Sequence, residues 1–341
     1  DGFTCCAGSL GTCTTSCGST GSRTCGASCG WGACNAPAED CVNGSDDDCD
    51  TDVDCGDADC SSHPSCAVGC TACPGSTTVA PPGGIYTVSL GAGTTGGSCG
   101  GAGGSEAYLS LSLTSASDVF ITTHTAGVDT VVYVRSCSCA GPEVACNDNA
   151  DGYTTSMLQR SLPAGDYQIF VDSKAPMSAS IDVHVYATAP GMASDRCGFP
   201  TLVPAGSGLL SGTTCGYTSD YQPVAQGDCT ASSGDELERV YYFVVPASRT
   251  VRFNGCPGPG QYDQTAYIRS ACTDGTLARQ MACNDDGASC SGSPAFCNTG
   301  RYNSDVSATL GPGVYFFMAD GYLGGNPACG CGAFDYTLTG I

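Results

Sequence analysis

Fourteen of the 28 cysteines fall between Cys5 and Cys73, in the first fifth of a 341-residue chain. Up to Gly83 this stretch carries one basic residue, Arg23, against eleven acidic ones, and almost no aliphatic side chains. It cannot bury enough apolar area to offset its chain entropy. Covalent staples or bound cations must therefore hold it. Each native disulfide contributes roughly 2–4 kcal/mol, so several suffice. A reducing cytosol would keep this many thiols open, which makes the expected location extracellular, secreted or at the cell surface. The even cysteine count predicts complete pairing with no free thiol.

The rest of the composition narrows the function classes. Eleven basic and 33 acidic residues give a net charge of −22, and Lys174 is the single lysine. Such a surface repels nucleic acid phosphates and anionic membranes. The longest apolar run, Val240 to Val245, falls far short of the roughly 18–20 residues a membrane span needs. Three histidines, His63, His124 and His184, leave little material for histidine chemistry. Asp1 reads as a mature N-terminus, without a leading methionine or signal peptide.

Beyond Cys73, the stretch Pro74 to Gly84 reads as a linker, stiffened by proline and solvated by Ser, Thr and Gly. Alternation then takes over. Leu109, Leu111 and Leu113 alternate with serines, and Ile181, Val183 and Val185 with Asp182 and His184, which are predicted to face out. Tyr167, Ile169 and Val171 repeat the pattern, as do Phe334, Tyr336 and Leu338. Period-two patterning broken by Gly and Pro predicts an all-β protein built of sandwiches.

The same elements occur twice in the same order. Tyr133-Val-Arg-Ser136 matches Tyr267-Ile-Arg-Ser270, with Asp129 and Asp263 four residues before each. Ala145-Cys-Asn-Asp148 matches Ala282-Cys-Asn-Asp285. Leu162-Pro-Ala-Gly-Asp-Tyr167 matches Leu310-Gly-Pro-Gly-Val-Tyr315, and Asp172 and Asp320 follow at equal distance. The predicted organisation is a disulfide-stapled metal-binding domain at 1–73, a linker at 74–84, and two tandem β-sandwich domains at 85–189 and 190–341. The second copy has a longer, cysteine-rich insertion between Asp286 and Asp305. Cys139 or Cys137 is expected to pair with Cys146, and Cys272 with Cys283.

These repeated elements resemble bacterial pre-peptidase C-terminal domains, over most of 105–188 and 235–340. The resemblance implies small, mostly non-catalytic sandwiches appended to secreted proteins. Copy one departs from the pattern at Ser173, where copy two keeps Gly321. In the N-terminal segment, Thr15-Ser-Cys17-Gly-Ser-Thr-Gly21 with Cys25 and Trp31-Gly-Ala-Cys34 resembles a compact thrombospondin type 1 repeat. Only Trp31 and Arg23 remain of that repeat's tryptophan–arginine ladder. Asn43 to Asp54 resembles the Asp-rich metal-binding motif of large bacterial secreted proteins, and is similar to thrombospondin type 3 repeats.

Calcium is the expected cofactor. Asp46, Asp48, Asp50, Asp52 and Asp54 alternate, so an extended chain sets them on one side, with Asp57 and Asp59 completing a shell. Calcium takes six to eight oxygens and tolerates irregular loops. The competing reading is a solvated acidic loop stapled by Cys49, Cys55 and Cys60. A second candidate set lies in the repeats: Asp129, Asn147, Asp148 and Asp172 in copy one, and Asp263, Asn284, Asp285 and Asp320 in copy two. There the competing reading is Asn and Asp capping tight turns.

Catalytic motifs are weak. Gly26-Ala-Ser28-Cys-Gly30 and Gly96-Gly-Ser98-Cys-Gly100 fit G-x-S-x-G but lack its strand–turn–helix setting. His124 and His184 read as surface histidines. Tyr241, Tyr242, Tyr262, Tyr302 and Tyr322 keep a contact face for sugar or protein open. Asn43 begins a glycosylation sequon, and Ser76, Thr77 and Thr78 are O-glycan candidates. The expected function is a non-enzymatic structural subunit of an extracellular fibre, appendage or surface assembly. Its partners are copies of itself or other surface proteins, met through exposed strand edges. The alternative is an adhesion module for glycan or protein; a secreted enzyme ranks last.

Overall fold

The computed structural model describes residues 5–41, 43–57, 59–60, 70–124, 127–230, 236–256, 262–287, 303–322 and 330–341. His63, Tyr302 and most of the insertion after Asp286 lie outside them.

The described residues are all-β, with one 3-10 turn at Asp54–Gly56. Four large sheets carry the fold. The first runs in the order Thr77–Val79, Ser105–Leu113, Gly165–Ser173, Thr130–Ser136, Glu143–Asn147. The short strand Gly91–Ala92 also pairs with Ser105–Leu113. The second sheet runs Gly83–Ser89, Ser180–Thr188, Ser117–Thr122, Met157–Leu162. The third runs Thr201–Leu202, Arg239–Val245, Gly313–Gly321, Gln264–Arg269, Gln280–Asn284, and the fourth Leu209–Thr213, Ala333–Thr339, Arg249–Asn254, Asp305–Leu310. Strand for strand, sheets three and four repeat the order of sheets one and two. Even the opening parallel pairings recur, Thr77–Val79 on Ser105–Leu113 and Thr201–Leu202 on Arg239–Val245.

The expected linker is thus part of the first repeat, since Thr77–Val79 and Gly83–Ser89 are strands. Thr77 and Thr78 carry backbone pairing there while their side chains stay exposed.

The repeated motifs have physical causes. In each Leu-x-x-Gly-x-Tyr segment the tyrosine hydroxyl donates to the carbonyl four residues earlier, Tyr167 to Pro163 at 3.0 Å and Tyr315 to Gly311 at 3.1 Å. The glycine between them has φ 152° in both copies, a conformation that side chains disfavour. Arg135 and Arg269 each donate to a carbonyl in the turn after their strand, that of Cys139 and that of Cys272.

Alternating side chains build two cores. Leu109, Leu111, Val132, Ile169, Val183 and Val185 meet between sheets one and two. Phe243, Phe253, Ile268, Phe317, Tyr336 and Leu338 meet between sheets three and four. A third apolar layer joins the repeats. Phe120 and Tyr186, on the far face of sheet two, pack against Val240, Tyr242, Phe316 and Met318 of sheet three. Phe120 lies 4.9 Å from Tyr242 between ring centroids, and Tyr186 lies 5.3 Å from Phe316. The result is a stack of four sheets with three buried layers.

This seam corrects three expectations. His184 shares the face of Asp182, which is exposed as expected, but at His184 that face is covered, and His184 is buried. His124 is buried as well, bonded through Nε2 to Asp151 at 3.0 Å and through Nδ1 to Thr155 at 2.5 Å. Tyr241, Tyr242 and Tyr262 are buried in the seam or in the second core and form no contact face. Tyr322 is half-buried.

The disulfides also differ from expectation. Cys146 pairs with Cys99 and Cys283 with Cys229, each linking a strand to the loop before its repeat's long strands. Cys137 and Cys139 reach back to Cys70 and Cys73, and Cys272 to Cys197. Register explains why. Cys146 sits opposite Tyr133 and Cys283 opposite Tyr267. Cys137 is four residues further along, roughly 13 Å at about 3.3 Å per residue, beyond the ~7 Å that a disulfide spans. Cys6 and Cys29 are exposed free thiols, against the expectation of complete pairing.

Candidate metal centre

The N-terminal segment is built on the hairpin Leu10–Thr14 and Thr20–Thr24. Arg23 lies 4.7 Å over the Trp31 ring, which in turn covers Gly11. Disulfides Cys17–Cys49 and Cys41–Cys60 close the acidic loop onto this base. Ser19 adds a 2.6 Å bond to the Asp47 carbonyl.

The loop is coiled rather than extended. Cys49, Thr51 and Asp54 have φ of 70°, 88° and 50°, so Asp52 and Asp54 leave the side on which Asp46, Asp48 and Asp50 come together. Asp46 accepts from the Cys49 and Thr51 amides at 2.7 and 3.2 Å. Asp48 and Asp50 each accept the amide two residues on. Asp54 turns inward and is fully buried, accepting from Asn43 at 2.9 Å and from Gly44 at 3.0 Å. It is a brace for the loop. Asn43, the sequon asparagine, accepts from Ser45 at 2.8 Å and donates to Asp47 at 2.5 Å.

Two acidic trios converge among the described residues: Glu39 with Asp48 and Asp57, and Asp46 with Asp48 and Asp50. Within each, one oxygen per residue lies within 4.8 Å of the others. Opposite ligands of one calcium are about 5 Å apart, from metal–oxygen distances of about 2.3–2.6 Å. Asp48 belongs to both trios. Asp52 and Asp59 join neither. Glu39 escaped sequence reading because it stands outside the alternation. It is fixed by accepting from the Asp54 and Asp47 amides at 2.9 and 2.8 Å.

Asp57 is the most telling member. It is 2% exposed, its Oδ1 accepts from Asp59 at 2.6 Å, and its buried Oδ2 has no hydrogen-bond partner. Burial raises its pKa, and the charges of Asp50, Asp48 and Asp59 raise it further. Glu39 is raised chiefly by burial too, against the amide bonds that lower it. A cation among these groups would remove both penalties.

The candidate sets in the repeats come together only in part, and no acidic trio forms there among the described residues. Asn147 accepts from the Met157 amide at 3.0 Å and Asn284 from Asp305 at 2.7 Å, so both asparagines brace turns. Asp148 is ion-paired to Lys174, with Asp129 adding to the field on that ammonium. Asp172 is buried opposite Glu106. In copy two, Thr265 donates to Asp285 at 2.9 Å. Asp263 is pushed up to about 7, by burial first and then by Asp285 and Asp286. Asp320 accepts from Tyr267 at 3.1 Å and from the Gly321 amide at 2.7 Å. At matching positions the Lys174 and Tyr322 amides donate to the backbone carbonyls of Asp129 and Asp263. Of the two serines in G-x-S-x-G matches, Ser98 donates to Glu143, and Ser28 lies in the turn closed by the Cys29 amide on the Gly26 carbonyl.

No protein family model matches the sequence, and no curated protein matches it. Among solved structures, the chain is similar to the CUB1-EGF-CUB2 domains of rat MASP-1 at 10% identity, over 74% of this chain and 96% of that one, with a TM-score of 0.19. It is also similar to "a putative secreted protein from Eubacterium rectale" at 13% identity, over 69% of this chain and 70% of that one, with a TM-score of 0.21. Likeness at this level carries no argument about function.

Proposed function

We propose that the protein is a secreted, non-enzymatic structural protein, stabilised by disulfides and calcium, that serves as a subunit of an extracellular fibre, appendage or surface assembly. The observation that carries this reading is the Glu39–Asp48–Asp57 trio. Three carboxylates converge in a segment that lacks a core, and one buried oxygen has no partner. Ten disulfides join described cysteines, which supports an oxidising location. The repeats, similar to pre-peptidase C-terminal domains, act as rigid spacers. Adhesion to glycans is the weaker reading, because Tyr241, Tyr242 and Tyr262, three of the five tyrosines that suggested it, are packed inside. Electron microscopy of native material with and without chelator tests the proposal. Polymers that loosen in EDTA support it, whereas monodisperse particles indifferent to calcium overturn it.

A further inference from the structure

The acidic loop does not stand free of the first sandwich. A methyl placed on Gly44 would lie 3.7 Å from Val144 and 3.8 Å from the Glu143 carbonyl oxygen. One placed on Gly56 would lie 3.3 Å from the Ala164 carbonyl oxygen. The two ends of the loop therefore lie beside two places on sheet one, each with room for no more than a methyl group between: the entry to Glu143–Asn147 and the turn before Gly165. Asp54 ties these ends together, because it sits two residues before Gly56 and holds the Gly44 amide. Ionisation of the Tyr167 hydroxyl, on that same turn, is opposed first by burial and then by the charge of Asp54, with Asp52 adding to it.

Covalent linkage does not explain this docking. Every described disulfide of residues 5–60 closes within that segment. The bridges to the sandwich come later, at Cys70–Cys137 and Cys73–Cys139. Docking of the loop thus rests on non-covalent contact and on the loop keeping its coiled shape. That shape gathers five carboxylates whose like charges repel one another at close range even in water. A cation at the trio reverses the sign. The ligand set is all oxygen, which favours a hard ion such as calcium. Asp57, the ligand with the orphan oxygen, is covalently adjacent to Gly56, the residue that meets Ala164.

Building on the calcium reading above, we propose that calcium held by Glu39, Asp48 and Asp57 is a latch that docks the N-terminal segment on the first sandwich at Val144 and Ala164. A ligand shifts such an equilibrium only by binding one state better. The docked, coiled loop presents the trio, whereas an opened loop disperses it.

The test uses the full chain and calcium alone, with EDTA as the reference state. Calorimetry reads binding, and hydrogen–deuterium exchange reads docking at 43–57, 143–147 and 163–167. Calcium is expected to slow exchange at all three places, by at least tenfold in the loop. Asp57→Asn should weaken calcium binding at least tenfold and abolish the protection at 143–147 and 163–167. Gly56→Val crowds the Ala164 contact, so it should speed exchange at 163–167 with calcium still bound. If no calcium binds, the calcium reading itself fails. If calcium binds and protects the loop but leaves 143–147 and 163–167 unchanged, the latch alone is overturned.

Discussion

Glu106 and Asp172 are register partners on adjacent antiparallel strands, and both carboxyl groups are buried. Arg239 opposite Ala319 sets Glu238 against Asp320 in the same way in the second repeat. Burial pushes Asp172 up to about 8, helped by the Glu106 charge and opposed by the Tyr133 hydroxyl and Arg135. Burial raises Glu106 as well, but hydrogen bonds from Thr95, Tyr108 and Thr94 outweigh it and hold its pKa low. One proton therefore resides on Asp172 and one charge on Glu106. Glu238 is pushed up to about 10, by burial first and then by Asp320.

The pH dependence follows from the sign of these shifts. The folded pKa of Asp172, about 8, exceeds its ordinary 3.8, so the native state binds the extra proton between those limits. The contribution of Asp172 is greatest below about pH 4 and is lost as pH rises toward 8, by at most about 1.4 kcal/mol per pH unit. Asp172→Asn should flatten the fall and melt higher than the parent at pH 8. Parallel melting-point curves for parent and variant, from pH 4.5 to 8, would sink this assignment.

His184 works in the opposite direction. Burial in the seam lowers it to about 4, with Arg279 and His124 reinforcing and Asp182 opposing. A base depressed from 6.5 contributes its full stability above pH 6.5 and loses it as pH falls toward 4. His184→Phe, which suits the neighbouring Phe316 ring at 5.9 Å, should remove acid sensitivity in that window. Denaturant midpoints at pH 5 and pH 7 measure it, and an unchanged difference between them counts against the assignment.

The seam has a graded mutational signature. Tyr242→Phe removes one hydroxyl bond to Asp151, 2.9 Å long, and should cost about 1 kcal/mol. Phe316→Ala empties the centre of the layer and should cost about 3–5 kcal/mol. Urea unfolding gives both values. A Phe316→Ala variant as stable as the parent would mean that the two repeats do not pack through this layer.

Cysteine chemistry is directly countable. Alkylation without reduction should label Cys6 and Cys29, both exposed and unpaired. Peptide mapping should recover Cys99 with Cys146 and Cys229 with Cys283. Recovery of Cys146 joined to Cys137 or Cys139 would contradict the register on which these pairings depend.

What the residues disclosed, and what they hid, divides along physical lines. Strands were legible because alternation such as Leu109, Leu111, Leu113 is local, and the repeat was legible because its turn residues recur. The seam was hidden because a covered second face looks like any polar-and-aromatic face until its partner is placed. Its signal was the unbroken run Val240–Val245, since six apolar residues in a row mark a strand buried on both faces. The acidic loop was legible as charge. Its ligand set was not, because Glu39 arrives through chain folding across the Cys41–Cys60 bridge rather than through spacing. Pairings of cysteines stayed illegible for the same reason, since they depend on Cα separation.

The four-sheet stack has a direction, because its two outer faces differ. In the second repeat the outer face of the five-stranded sheet is used by the first repeat. The equivalent face of the first repeat, with Tyr133 and Phe170, is covered by Cys73, whose amide bonds Gln168 at 3.0 Å. At the other end, the outer face of the fourth sheet presents Thr250, Arg252, Ser307, Thr309, Thr337 and Thr339 to water. Where the second sheet offers Phe120 and Tyr186 for stacking, the fourth offers hydroxyls and charge. Polar terminal faces are how repeat arrays stop growing. Among the described strands, the stack thus ends on a polar face, and Met157–Leu162 and Asp305–Leu310 remain as edge strands of the second and fourth sheets.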